Sequence, residues 1–163
     1  MEDSKSENNP RQIDTWLGKY SDDHRHPLNI RIHWICVPII LWSVIALLWA
    51  IPVPAVLGRA GLWAAVAMFA ALLFYQRLSR SLMFAMLIVF IGFGLFTELA
   101  YRLCGARIVV ALAIAMFVVA WALQFIGHVV EGKRPSFATD LVYLLIGPAW
   151  LAAKLMRRFG WEV

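Results

Sequence analysis

Four stretches of the chain carry no charged side chain: Trp34 to Gly58, Ala60 to Gln76, Ser81 to Thr97 and Ile108 to Gly127. A helix needs about 20 largely apolar residues to cross the hydrocarbon layer of a membrane, where unpaired backbone groups are too costly to leave exposed. Runs of this length therefore predict spanning helices, at about 30–51, 60–76, 81–98 and 106–127. Ile51-Pro52-Val53-Pro54 ends the first, because proline has no amide hydrogen to donate and clashes with the preceding turn. The tight link Gln76-Arg77-Leu78-Ser79-Arg80 makes the second and third an antiparallel hairpin. Leu141 to Ala153 is again uncharged, but it is interrupted by Gly147-Pro148 and too short to cross comfortably. It predicts an interfacial or re-entrant segment over about 138–155, followed by a basic tail at 156–163. Ahead of the first span, residues 1–13 read as a mobile polar segment and 14–28 as a short helix and loop. The expected fold class is all-α: a polytopic membrane bundle of four transmembrane helices with N-terminal and C-terminal interfacial helical segments, in one domain over 14–155.

Composition agrees with that pattern. With 62% hydrophobic and only 15% charged residues, a chain of 163 residues has too much apolar surface to hide in a water-soluble core. Charge adds orientation. If the N-terminus is cytoplasmic, only Arg59, Arg102 and Arg107 of the fifteen Lys and Arg residues fall on the outer side, leaving twelve inside. The positive-inside rule then places both termini in the cytoplasm. The net charge of +5 does not point to nucleic acid, because the basic residues are scattered at loop ends rather than clustered on one module. Cys36 and Cys104 have neither metal nor disulfide-framework spacing and read as free thiols.

This topology puts all four histidines at one membrane face. His24, His26 and His33 surround the start of the first span, and His128 ends the fourth. Pro27 and Asn29 argue for a turn between His24 and His33, with Asn29 as a helix cap. On one continuous helix the two imidazoles would point to opposite sides; a break lets them converge. Glu131 lies three residues beyond His128 and shares its helix face, while Gly127 leaves space beside it. Neutral imidazoles suit iron, zinc or copper. The same residues also fit interfacial hydrogen bonding or bis-histidine haem ligation, and spacing leaves these three readings open. A non-enzymatic membrane scaffold or lipid-binding protein is the rival class. A transporter is disfavoured, since the spans lack paired internal polar residues and an inverted repeat.

The pattern Tyr20…His24-x-His26-Pro27-x-Asn29-x-x-x-His33-Trp34-Ile-Cys-Val-Pro38 is followed by Trp121-x-x-Gln124-Phe-Ile-Gly127-His128-x-x-Glu131-Gly-Lys-Arg-Pro135-Ser136-Phe137 and Leu144-Leu-Ile-Gly147-Pro148. Over about 16–155 this resembles the membrane 2-hydroxy fatty acid dioxygenases of lipid α-oxidation, in a bacterial-type form. The resemblance implies an Fe(II)- and O2-dependent oxidoreductase that shortens a 2-hydroxy fatty acid by one carbon. It nominates His24, His33 and His128 as catalytic metal ligands, with His26 and Glu131 as auxiliaries. A substrate carboxylate at this face would be expected to meet Arg25, Arg31, Lys133 or Arg134, because guanidinium and ammonium groups pair with it. Asn29, Gln124 and Asp140 are the candidates for supporting the ligands. Membrane lipids are the other expected partners; no nucleic acid and no obligate protein partner is inferred.

Overall fold

In the computed structural model, residues 12–133 and 142–163 are described. Every regular element among them is helical: α1 (Gln12–Asp22), α2 (Pro27–Trp49), a short 3-10 turn (Ala55–Leu57), α3 (Leu62–Leu78), α4 (Arg80–Glu131) and α5 (Tyr143–Arg158). Of these, α2 and α4 are long and apolar enough to cross a membrane, and α3 is a shorter apolar helix. The outward faces carry large apolar side chains, with Ile88 71% and Leu103 75% exposed.

Local chemistry sets the ends of the helices. His26 caps α2, its Nδ1 accepting from the Leu28 amide at 3.2 Å, and Pro27 takes a first-turn position where no amide hydrogen is needed. The helix thus begins before Asn29, which is a fully buried interior residue and not the expected cap. Between α3 and α4 a single extended residue, Ser79, makes the turn, and its Oγ accepts from the Leu82 amide at 3.3 Å.

Residues 99–104, expected to link the third and fourth spans, are helical, and the non-helical backbone inside α4 is Gly105 (φ 77°, ψ 160°). This conformation is close to forbidden for any residue with a Cβ. It reverses the chain. Tyr101, before the break, donates to the Ala46 carbonyl at 2.9 Å, and Val109, after it, clusters with Ala46 and Trp42. By Gly127 the second arm has returned to Asn29, at the opposite end of α2. Its first arm begins beside Tyr75, whose hydroxyl donates to the Leu145 carbonyl of α5 at 2.8 Å.

The amphipathic helices α1 and α5 pack together across the end of this bundle. The apolar stripe Ile13, Leu17 and Tyr20 meets α5 through Trp16 on Tyr143 and Tyr20 on Trp150, each pair with centroids 5.3 Å apart. The Trp150 indole donates to Ser21 Oγ at 2.8 Å. Gly147 and Pro148 do not interrupt α5. At the far end of the bundle, Glu98 pairs with Arg102 at 2.6 Å.

Gly105→Ala should lower the unfolding free energy in a detergent titration by about 1–3 kcal/mol, the usual cost of a sparsely populated backbone conformation. Gly92→Ala is the control: it lies within helical backbone, a Cβ there meets no atom within 4 Å, and stability should stay level or rise. Equal effects from the two variants would contradict the turn at Gly105.

Candidate metal centre

His24 lies in the turn after α1, His33 two turns into α2, and His128 near the end of α4. All three are buried, at 3%, 1% and 4% exposure. One ring nitrogen from each lies within 4.8 Å of the others. The turn at 23–26 is what allows His24 to face His33, since the chain leaves helical geometry between them.

Their hydrogen bonds determine which nitrogens are free. His24 Nδ1 is 2.6 Å from the Tyr20 carbonyl oxygen, and His33 Nδ1 is 3.0 Å from that of Asn29, each four residues back. A carbonyl only accepts, so both Nδ1 atoms carry the proton and donate it. Each Nε2 then presents a lone pair, and these two Nε2 atoms are 3.0 Å apart. Two lone pairs at that distance repel unless a proton or a cation lies between them. Burial lowers the His24 pKa below its ordinary value of 6.5, which disfavours the proton. His128 Nδ1 is buried with no hydrogen-bond partner among the described residues. A neutral imidazole donor set, with the outer nitrogens of His24 and His33 fixed by backbone carbonyls, fits a transition-metal ion.

Over residues 11–159 the sequence matches the protein family described as 2-hydroxy-palmitic acid dioxygenase Mpo1-like. The chain belongs to that family. Neither a curated protein nor a solved structure matches it.

In this Mpo1-like chain, the triad stands at the head of an apolar cavity of about 400 Å³. One wall is the α2 face bearing Val37, Ile40, Leu41 and Val44; the other is the α4 face bearing Phe117, Trp121 and Gln124. Tyr143 to Leu145, Gly147 and Pro148 of α5 complete it. Gly147 is closely approached: a Cβ there would lie 3.1 Å from the Tyr20 hydroxyl, which would have to give by a few tenths of an ångström. Tyr20 in turn stacks on His24 with centroids 4.2 Å apart.

The other nominated residues are placed differently. Glu131 is not part of the three-residue donor cluster. Its carboxylate accepts from the Arg25 amide (3.0 Å), the His26 amide (2.8 Å) and Asn29 Nδ2 (3.1 Å), binding the end of α4 to the start of α2. In this structure the Glu131 carboxylate forms a clamp between the two helix ends. His26 is likewise engaged in capping α2 through its side chain. Gly127 leaves space for Asn29, not for His128: a Cβ at Gly127 would lie 2.5 Å from Asn29 Oδ1.

None of the basic residues expected to meet a substrate carboxylate lines the cavity, as far as they are described. Arg25 pairs with Asp22 at 2.6 Å on the surface, Arg31 is exposed, and Lys133 donates to the Asp22 carbonyl (2.8 Å) and to Asp23 (3.1 Å). The cavity lining includes no acidic group that would pair with their charges. Arg134 and Asp140 lie outside the described residues. Of the supporting candidates, Asn29 holds His33 through its carbonyl, and Gln124 lines the cavity one turn from His128. Sequence reasoning missed the buttressing by Tyr20 and Trp150; the signal for Tyr20 was its position four residues before His24, where its carbonyl meets the ring.

Glu131→Ala removes all three clamp bonds and should cost about 1–3 kcal/mol of stability. Glu131→Gln retains an accepting oxygen and should fall between the wild type and the alanine variant. If both variants unfold with the wild type in the same titration, the clamp is refuted.

Proposed function

We propose that the chain is an Fe(II)- and O2-dependent dioxygenase that shortens a 2-hydroxy fatty acid by one carbon, with His24, His33 and His128 holding the iron. The observation that carries this reading is the pair of imidazole lone pairs facing each other at 3.0 Å at the head of an apolar cavity, in a chain of a family named for this reaction. Iron held there would supply oxygen activation and a Lewis-acidic anchor for the substrate's hydroxyl and carboxylate. The reaction balances without a further reductant. The C1–C2 bond breaks, C1 leaves as carbon dioxide, and C2 becomes the new carboxyl carbon. Substrate and O2 together supply the oxygen of the shorter acid, the carbon dioxide and one water, and the electrons that reduce O2 all come from the substrate.

The protein's own residues bind, orient and exclude water. The Tyr20 and Asn29 carbonyls fix the rings of His24 and His33, so that the ligand nitrogens need little reorganisation when the metal binds. The apolar walls keep bulk water from the reacting carbon and accommodate the alkyl chain. Because no Lys or Arg among the described residues lines the cavity, the substrate carboxylate would be neutralised at the metal itself.

The reading includes a membrane setting. The two arms of α4, divided at Gly105, would each cross the bilayer, giving four spans with α2 and α3; α1 and α5 would lie at the cytoplasmic interface over the histidines. The apolar outward faces and the excess of basic residues at the histidine end support it. Bis-histidine haem ligation is less favoured, because nitrogens 3.0 Å apart are too close to sit on opposite faces of one iron porphyrin.

Purified protein loaded anaerobically with Fe(II) should bind iron stoichiometrically. Replacement of His24, His33 or His128 by alanine should lower bound iron and product formation at least about tenfold. On adding oxygen and a 2-hydroxy fatty acid, mass spectrometry should find the acid one carbon shorter; chelation should abolish the product and Fe(II) should restore it. A folded, iron-loaded protein that makes no such product across chain lengths would overturn the assignment.

A further inference from the structure

The cavity's two walls have the same construction. On α2 the lining residues His33, Val37, Leu41 and Val44 follow one helix face, and on α4 Phe117, Trp121, Gln124 and His128 do the same. α2 leads away from the histidines and the second arm of α4 leads back to them, so each stripe has an imidazole at one end and an apolar side chain eleven residues away at the other. At 1.5 Å of rise per residue the seam is roughly 16 Å long. At about 400 Å³ the cavity along this seam is at the small end of ligand pockets. The far end is not walled off: Val44 is 39% exposed and Phe117 half-buried.

Resting on the reading of the histidine triad as the head-group site, we propose that the seam between α2 and the second arm of α4 is a channel for a single alkyl tail, with Val44 and Phe117 forming its exit. The channel encloses about a dozen methylenes, by helical rise, and lets the rest of a longer tail pass out between the helices. A single-tailed acid fits a cavity of this size. Val44 and Phe117 are thus specificity-determining positions, far from the metal and without a part in the chemistry.

Two measurements test this. Conversion of eight-carbon and sixteen-carbon 2-hydroxy acids, mixed in one reaction, gives a long-to-short product ratio that is insensitive to how much of the protein is active. Val44→Trp, which narrows the exit, should lower that ratio about tenfold or more, while Val44→Ala should not lower it. A ratio unchanged by Val44→Trp overturns the channel. The second measurement needs no variant at Val44 and no turnover: in anaerobic metal-loaded protein, long-chain 2-hydroxy acids brominated at successive carbons are scored for quenching of Trp121, taken as the signal lost in Trp121→Phe. Trp121 is seven residues from His128, roughly 10 Å along the seam, so quenching should peak with bromine in mid-chain and fall toward either end. Quenching that is flat along the chain, or absent, overturns the channel even if product is formed. A mid-chain peak without product upholds the channel and removes the dioxygenase reading instead.

Discussion

The site depends on how closely α4 approaches the first turn of α2. At Gly127 there is no room for even a methyl group, because Asn29 Oδ1 occupies the place a Cβ would take. Beyond that contact, Glu131 accepts from two backbone amides and from the same asparagine. A carboxylate at a helix N-terminus meets unpaired amide donors and the positive end of the helix dipole, so the clamp is favoured by both hydrogen bonding and charge. His128 lies between these two anchors. Its distance from His24 and His33 follows from a packing contact and a cap that involve no ligand atom.

Asn29 links the two halves of this arrangement. Its side chain belongs to the clamp, while its carbonyl orients His33. Tyr20 has the corresponding role for His24, giving it a carbonyl partner and a stacking surface, with Trp150 of α5 packed against both. The rings are therefore held from behind by backbone and aromatic groups, and their free nitrogens point toward one another. Where polar groups are this buried, satisfying the outer nitrogens and leaving the inner ones bare is a costly arrangement that metal binding would compensate.

Much of the helical framework was legible in the sequence because it follows from local rules. Uncharged runs gave helices within a few residues of their observed limits: 27–49 for an expected 30–51, and 62–78 for 60–76. The main departure is α4, where an expected loop of several residues contracts to the single residue Gly105, since glycine alone can adopt the reversing conformation without lengthening the connection. Pro27 and Asn29 mark a turn, which lies at 23–26, but the helix cap falls on His26 and not on Asn29, because proline is well suited to the first helical turn.

The sequence by itself determined the number and length of the apolar helical segments and the gathering of histidines at one end, because hydrophobic runs and alternating chain direction require no knowledge of partners. Only the tertiary structure decided the functions of the polar residues around them. Glu131 and Lys133 have charges suited to a ligand or a substrate contact, yet the nearest unsatisfied groups are the amides and carboxylate of the α1–α2 turn, and they are engaged there. Spacing specifies which residues share a helix face, but a side chain's hydrogen-bond partner depends on which element packs against that face. That is also why the apolar cavity, formed between stripes more than seventy residues apart, could not be read from either stripe alone.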